Sequence, residues 1–274
     1  MSRIGSRLET YKRAGKTALV SFVTAGDPSV ATTVPALRAL VRGGVDILEL
    51  GVPFSDPEAE GPTIQKSSER ALANGVNLVA VLDMVRDFRQ TDTNTPVLMM
   101  GYFNSLLHRG PEHLVKNAVE AGVDGVIIVN LPPEEATDIQ PAFAAADLDL
   151  VFLIAPTTTE ARARSIVSVA GGFIYYVALK GVTGAQHLEV ETVRKEVLRV
   201  QSYTPLPVMV GFGVKDPQDA RRIATYADGV VVGSALVRTM EALQSSERQI
   251  PGALEAQVRE LRDAMDESDQ DARE

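Results

Sequence analysis

The sequence predicts an α/β protein built as a closed barrel of eight strand–helix units, with an extra N-terminal helix and a C-terminal helical extension. Short apolar runs alternate with segments of helical period along most of the 274 residues. The runs are apolar without alternation, as expected for parallel strands covered on both faces. Eight such units fit a single-domain (β/α)8, or TIM, barrel better than an open doubly wound sheet.

The predicted elements follow one another in a regular order. The apolar runs that predict strands lie at 18–24, 45–50, 96–101, 125–130, 150–155, 173–178, 207–211 and 229–232. The helical segments lie at 30–42, 64–89, 111–121, 133–146, 159–170, 188–201, 216–226 and 234–243. Residues 80–89 belong either to the second helical segment or to a separate helix.

Both ends of the chain lie outside the repeated units. Residues 2–13 predict a short amphipathic helix, and a polar link after the last unit leads to a predicted helix at 253–265. The charged residues that follow have the composition of a disordered segment. We therefore expect a barrel domain over residues 1–265 and a disordered tail over residues 266–274.

Composition excludes several kinds of chemistry. The chain has no cysteine, which excludes disulfides, thiolate nucleophiles and cysteine–metal sites. Its three histidines, His108, His113 and His187, share no metal-ligand spacing, so we expect no metal. A net charge of −9 without a basic cluster argues against nucleic acid. A phosphorylated substrate stays open, because backbone N–H groups bind phosphate without lysine or arginine.

The N-terminus has a faint likeness to a signal peptide, since basic residues precede an apolar run at 18–25. That run is short, rich in β-forming residues and interrupted by Thr24. It therefore predicts a buried strand, and we expect a cytoplasmic protein that does not bind a membrane.

The most informative stretch is residues 49–65, which read ELGVPFSDPEAEGPTIQ. Glu49 ends an apolar run, an unusual place because charged residues are rarely buried without a partner. The next loop carries Asp56, Glu58 and Glu60 among prolines and glycines that define its path. Acids on a strand end and on a shaped loop suit acid–base catalysis, because burial raises a carboxyl pKa. An ordinary acidic surface loop is the alternative interpretation.

In barrels of this kind the chemistry lies at the C-terminal ends of the strands. Those ends combine apolar side chains, one acidic side chain and glycine-rich turns. Read in order, the residues there are Phe22, Thr24, Glu49, Gly101, Tyr102, Asn130, 155–157, Tyr175, Thr183, Gly184, 211–213, Gly233 and Ser234.

Two glycine turns follow the last two strands, at 211–214 and 233–235. Glycine lets the backbone approach a ligand, and the turns after strands seven and eight of such barrels often hold a phosphate on helix N-termini. From the residues alone, a phosphate site and simple tight turns are equally favoured. The sixth turn, residues 180–185, reads KGVTGA and predicts either a lid that excludes water or an ordinary loop.

The pattern ELGVPFSDPxAxGPTIQ resembles the signature of the tryptophan synthase alpha chain family, and the resemblance covers roughly residues 1–245. It implies a lyase of tryptophan biosynthesis that cleaves indole-3-glycerol phosphate to indole and glyceraldehyde 3-phosphate by a retro-aldol reaction. It also implies a beta-chain partner in an alpha2beta2 tetramer, with pyridoxal phosphate on the beta chain and no cofactor on this chain. In the family, loop 53–60 and the segments near Asn104 and Pro132 face the beta chain.

The resemblance also implies roles for single residues. Glu49 corresponds to the family's proton-transfer acid, and Glu60 takes the place of a second acid that stabilises the cationic indole through its N–H group. Thr183 lies near these acids on a mobile loop. The substrate-binding positions implied are Phe22, Tyr102, Tyr175, Thr183, Gly184, Phe212, Gly213, Gly233 and Ser234, of which Gly184, Gly213, Gly233 and Ser234 contact phosphate.

The chain departs from the common family pattern at four positions. Glu60 replaces the usual aspartate, and Glu58 replaces an apolar residue of many members. Asn130 replaces an aspartate, so a contact there that needs charge is lost while a hydrogen bond can survive. Leu179 replaces an arginine of some members and cannot form an ion pair.

Three other functions remain open from the sequence. Lys180 beyond the sixth strand suits the nucleophile of a Schiff-base aldolase, although solvation on its loop favours a high pKa. A catalytically weakened protein that only regulates a beta chain is the second alternative. A stand-alone lyase that releases indole is the third.

Overall fold

The computed structural model describes residues 2–178, 186–211 and 213–271. Eight parallel strands form a closed barrel in their sequence order. The barrel closes where the eighth strand pairs with the first, with Ala18 opposite Gly229 and Ser21 opposite Val232. The predicted (β/α)8 barrel is confirmed.

The strands agree closely with the predicted apolar runs. They are β1 (Ala18–Thr24), β2 (Ile47–Gly51), β3 (Val97–Gly101), β4 (Gly125–Ile128), β5 (Asp149–Ile154), β6 (Ile174–Val177), β7 (Val208–Gly211) and β8 (Gly229–Val232). Every residue of β1, β2, β4 and β8 is buried, as their mainly apolar sequences predict. Ser21, Thr24 and Glu49 are the polar residues among them.

The described helices are α1 (Arg3–Ala14), α2 (Val30–Gly43), α3 (Pro62–Ala73), α4 (Leu78–Arg89), α5 (Phe103–Leu107), α6 (Pro111–Ala121), α7 (Pro133–Ala145), α8 (Glu160–Val169), α9 (Gln186–Gln201), α10 (Pro217–Ala224), α11 (Ser234–Ala242) and α12 (Ile250–Asp271). A 3₁₀ turn, Glu247–Gln249, precedes α12. None of the described helices has the length and apolar character needed to span a bilayer.

The structure contains the separate helix that the sequence allowed over residues 80–89 and adds one short helix, and local chemistry explains both. The segment 64–89 divides into α3 and α4, because Gly75 adopts a positive φ of 74° and Asn77 begins α4 by accepting a hydrogen bond from the N–H of Ala80. The short helix α5 was not predicted, since five residues are too few to show a helical period.

The interior of the barrel is closed at its N-terminal end by α1. Ile4 and Leu8 of this helix are buried in one cluster with inward-facing strand residues such as Ile47 and Leu98. Ser2 begins α1 by accepting a hydrogen bond from the N–H of Gly5. The extra N-terminal helix predicted from the sequence therefore serves as the floor of the barrel.

Three aspartates join neighbouring strands at this same end. Asp46, Asp124 and Asp228 each precede a strand and accept a backbone hydrogen bond of 2.8 Å from the adjacent strand, donated by Leu19, Val97 and Val208 respectively. The sequences before these strands are alike, reading GVD at 44–46 and at 122–124 and ADG at 227–229. They are structural turns at the end of the barrel away from the C-terminal strand ends, where the candidate site lies.

The C-terminal helix α12 packs against α2 and α10 through buried residues such as Leu254 and Val258. It continues to Asp271 rather than ending at the predicted residue 265. Ion pairs extend along it, with Glu267 3.0 Å from Arg221 and Asp266 3.9 Å from Lys16. The assignment of 1–265 to the barrel domain and of disorder to 266–274 stays a prediction.

Candidate active site

A cavity of about 410 Å³ lies at the C-terminal end of the barrel. Glu49 and Glu60 belong to its lining, together with the turns that contain Gly213 and Gly233. Tyr175 belongs to the same lining. The structure therefore brings together acids and glycine turns that are up to 184 residues apart in the chain.

Glu49 points into the barrel because of its position in β2. Leu48 and Leu50 pack outward with the helices, whereas Ile47 belongs to the interior cluster, so alternation turns Glu49 inward above Ile47. Its neighbours across the sheet are Phe22 of β1 and Leu98 of β3. The residue is 1 % exposed, and its Oε1 atom accepts no hydrogen bond from the described residues.

Burial shifts the proton affinity of both acids. It raises the pKa of Glu49 to about 8, with a smaller contribution from the negative charge of Glu60. Burial also raises the pKa of Glu60 to about 7. At neutral pH Glu49 is therefore mainly protonated while Glu60 titrates, so the pair can combine a proton donor with a carboxylate.

Glu60 is held by the folded path of its own loop. Its N–H group donates to the carbonyl of Pro57 over 3.0 Å, and its carbonyl accepts from Gln65 Nε2 over 2.9 Å. The next residues, Gly61 and Pro62, begin α3. Asp56 and Glu58 are exposed and lie outside the cavity lining, so the loop presents one of its three acids to the cavity.

Tyr102 supports this loop. Its hydroxyl accepts a hydrogen bond of 3.0 Å from the N–H of Ala59, and its ring stacks on Phe54 with the centroids 4.9 Å apart. Tyr102 lines a recess of about 20 Å³ beside the main cavity, together with Phe22 and Glu60. The tyrosine predicted to bind substrate thus also positions the acidic loop.

Tyr175 and Phe22 occupy space that glycines leave free. A Cβ atom at Gly211 would lie 2.8 Å from the hydroxyl of Tyr175, and one at Gly51 would lie 2.7 Å from Cζ of Phe22. These glycines therefore make room for aromatic side chains. Burial and the charges of the two acids raise the pKa of Tyr175 well above its usual value, so its hydroxyl stays protonated.

The N-terminus of α11 forms another part of the cavity wall. Gly233 precedes the helix, Ser234 is its first residue, and both line the cavity. Gly213 lines it as well and has a positive φ of 45°. Helix N-termini present unpaired N–H groups and partial positive charge, which favour an anion.

Sequence reasoning missed two cations at this side. Lys215 and Arg238 line the cavity, and neither forms an ion pair with the described part of the chain. A signal for Arg238 was present, because it follows Ser234 by four residues and helical side chains lean toward the N-terminus. The cavity lining thus contains both acids and positive charge.

The remaining predicted residues have separate outcomes. Thr183, Gly184 and Phe212 lie outside the described residues, as do Leu179 and Lys180. Their predicted roles stay predictions.

Asn130 does not line the cavity. Its side-chain oxygen accepts a 2.8 Å hydrogen bond from the N–H of Phe103 and so holds the start of α5. An aspartate would make the same contact, so this contact does not need a charge. Across residues 2–178, 186–211 and 213–271, no cluster of His, Asp or Glu is arranged to hold a metal ion.

A closed barrel whose cavity combines a fully buried acid, a second acid and the N-terminus of a helix defines a (β/α)8-barrel protein with the features of an enzyme. The chain belongs to the tryptophan synthase alpha chain family, whose sequence model matches residues 8–266.

Known members are similar over nearly their whole length. The tryptophan synthase alpha chain of Alkalilimnicola ehrlichii is 48% identical over 97% of both chains. That of Thiobacillus denitrificans is 51% identical over 90% of both chains. The crystal structure of tryptophan synthase subunit alpha from Legionella pneumophila has a TM-score of 0.91 at 41% identity, covering 97% of this chain and 99% of its own.

Proposed function

We propose that this chain is a tryptophan synthase alpha subunit that cleaves indole-3-glycerol phosphate to indole and glyceraldehyde 3-phosphate in tryptophan biosynthesis. One observation carries the proposal: the buried Glu49 lines the same cavity as Glu60 and the N-terminus of α11. The family membership of the chain supports the same reaction. The reaction makes the chain a lyase.

The cavity suggests how the substrate lies. Its volume of about 410 Å³ falls within the range of ordinary small-molecule sites, roughly 300–1,000 Å³. The phosphate binds at Gly213, Gly233 and Ser234, where backbone N–H groups and the nearby Lys215 and Arg238 attract an anion. The indole ring lies at the acid side, against Phe22 and Tyr175.

Glu49 carries the proton transfers in this proposal. In its protonated form it donates a proton to the indole carbon that bears the glycerol chain, which makes the ring cationic. The resulting carboxylate then removes the proton from the side-chain hydroxyl as the C–C bond breaks. The electrons of that bond return to the ring, indole and an aldehyde leave, and Glu49 regains its proton.

Glu60 stabilises the charge that develops on the ring. Its carboxylate accepts a hydrogen bond from the indole N–H group, an interaction that strengthens as the ring becomes cationic. Because Glu is longer than Asp by one methylene, the loop from Pro57 to Gly61 is adjusted to place this carboxylate. Tyr102 maintains that adjustment through its hydrogen bond to Ala59.

Membership of the family implies a beta-chain partner, and we propose an alpha2beta2 tetramer in the cytoplasm. The acidic loop, α5 and the start of α7 follow β2, β3 and β4 at the C-terminal end of the barrel, the end that contains the cavity, which suits delivery of indole directly to a partner docked there. Pyridoxal phosphate belongs to the beta chain in this proposal, since no step assigned to Glu49 or Glu60 needs a cofactor.

The decisive experiment measures indole release from indole-3-glycerol phosphate with and without the cognate beta chain. We expect cleavage by the wild type that the beta chain increases, and binding of the two chains in titration calorimetry. Glu58→Gln is a matched control for Glu49→Gln, because it makes the same chemical change at an exposed acid outside the cavity. No release of indole in either condition would refute the proposed reaction.

Two outcomes would favour the alternatives. Cleavage without any binding of a beta chain at tens of micromolar would identify a stand-alone lyase. Recovery of a borohydride-trapped substrate adduct at a lysine would identify a Schiff-base aldolase.

A further inference from the structure

We propose that Arg70 is a positioning residue that sets the distance between the acid side and the phosphate side of the cavity. Its guanidinium binds Asp27 through two hydrogen bonds, Nε to Oδ1 over 2.6 Å and Nη2 to Oδ2 over 3.1 Å. Its third nitrogen, Nη1, donates to Oε1 of Glu241 over 3.0 Å. This inference rests on the proposed function, because it concerns how one substrate is held at both ends.

The three partners come from three separate units of the barrel. Asp27 lies in the turn after β1 and is fully buried. Arg70 lies in the last turn of α3, the helix that begins directly after Glu60. Glu241 lies near the end of α11, the helix that begins at Ser234. The ion-pair group therefore connects the helix behind the acid loop with the helix behind the phosphate turn.

Arg70 is too far from the cavity to touch a substrate. Eight residues separate it from Pro62 at the start of α3, and a rise of 1.5 Å per residue places it about 12 Å along the helix. Glu241 lies about 10 Å along α11 from Ser234 by the same rise. Any effect of Arg70 on the reaction must therefore act through the placement of the two helices.

Other hydrogen bonds attach α3 to the β1 turn but not to α11. Thr24 and Ser67 form a 2.6 Å hydroxyl–hydroxyl bond, and Asn74 Nδ2 donates to the carbonyls of Gly26 and Pro28. In the part of the chain that the structure describes, the pair of Arg70 with Glu241 is the hydrogen bond that links α3 to α11. The two helices also pack against each other.

The chemistry makes this distance important. A substrate that spans the cavity must place its indole against Glu60 while its phosphate sits at Ser234. A ligand that occupies only one end does not depend on the separation between α3 and α11. Misplacement near 1 Å costs on the order of 100-fold in rate when the geometry is strict.

Glu241→Ala is the sharpest test, because it breaks the link to α11 and leaves the pair between Arg70 and buried Asp27 intact. The probes are glycerol phosphate for one end, indole for the other, and indole joined to phosphate by a propyl chain for both. We expect the bridging compound to lose about tenfold in affinity while each fragment changes less than about twofold, with a similar fall in kcat.

Two more variants separate positioning from general stability. Arg70→Lys keeps the charge but lacks the planar fork that serves both acids, so it is expected to show the same split between bridging and fragment ligands. Asn74→Ala is the matched control, since it removes two hydrogen bonds of α3 that do not involve α11. We expect it to lower the unfolding temperature without changing the ratio of bridging to fragment affinity.

The results distinguish this proposal from the proposed function. Indole release by the wild type tests the reaction, whereas the ratio of affinities tests the link through Arg70. Equal losses for all three probes, an unchanged ratio in Glu241→Ala, or the same split in Asn74→Ala would each overturn the positioning role.

Discussion

Replacing Glu49 with glutamine is expected to inactivate the protein and to stabilise it at the same time. Glutamine keeps the size and hydrogen-bonding capacity of the side chain but cannot supply the titrating proton. We expect indole release to fall by at least the roughly 100-fold typical of general acid–base groups. The gain in stability has a separate origin, which is the burial of the carboxyl group.

The magnitude of that gain follows from the raised pKa. The ordinary pKa of Glu49 is 4.5, and burial raises it to about 8. Below about pH 4.5 both the folded and the unfolded chain carry the proton, and the group contributes nothing. Between about pH 4.5 and 8 the unfolded chain loses its proton while the folded chain retains it, so folding stability falls as pH rises.

Each full pH unit in this window costs about 1.4 kcal/mol, and titration is incomplete near both ends of the window. Glu49 therefore lowers the free energy of unfolding by about 3.5 kcal/mol between pH 5 and pH 8. Glu49→Gln removes this dependence. Urea unfolding of both proteins across the window should show that the free energy of unfolding of the variant, relative to that of the wild type, increases with pH. A stability difference that does not vary with pH, or turnover within a few-fold of wild type, would refute the assignment.

Four further predictions concern the acid pair and the phosphate end. The pH profile of kcat/KM for the free enzyme should be bell-shaped. It should rise near the pKa of Glu60, about 7, and fall near the pKa of Glu49, about 8, both being macroscopic values of a coupled pair. A flat profile would argue against a role for the pair. Glu60→Ala should abolish most cleavage, whereas Glu60→Asp should not increase the cleavage rate much. An increase of about tenfold in Glu60→Asp would show instead that glutamate at this position weakens the enzyme. Gly213→Val should weaken the binding of glycerol phosphate, measured by calorimetry, far more than the binding of indole. The reason is that Gly213 has a positive φ and lines the cavity at the proposed phosphate end. Equal effects on both ligands would show that the turn is purely structural. Arg238→Gln should weaken the binding of glycerol phosphate and reduce the salt dependence of that binding. Arg248→Gln is the control, because Arg248 is exposed and lies outside the cavity lining. An unchanged salt dependence in Arg238→Gln would show that Arg238 does not bind phosphate.

The sequence alone determined the strands of the barrel and the identity of the buried acid. Parallel strands covered on both faces need mainly apolar residues without alternation, so β1, β2 and β8 were evident as short apolar runs. Glu49 stood out because a carboxylate inside such a run conflicts with burial. The aspartates before β2, β4 and β8 recur at the same place in separate units of the sequence, as expected for structural turns.

Helix boundaries depended on local signals that the sequence shows less strongly. Gly75 and Asn77 divide one helical segment into α3 and α4, and both signals lie in the sequence. Past residue 265, α12 forms ion pairs of Asp266 with Lys16 and of Glu267 with Arg221, contacts between distant residues that helical periodicity does not report. Its end at Asp271 was therefore missed.

Only the tertiary structure decided which polar residues share the site. The loop after Glu49 contains three acids of similar chemistry, Asp56, Glu58 and Glu60. The path of the backbone places only Glu60 in the lining of the cavity. Lys215 and Arg238 become neighbours of the cavity only when β7 and β8 close the barrel. Asp27, Arg70 and Glu241 meet for the same reason, since closure brings β1 and β8 together. Local sequence records whether a residue is buried and in which element, but contacts between distant units arise only when the sheet closes on itself.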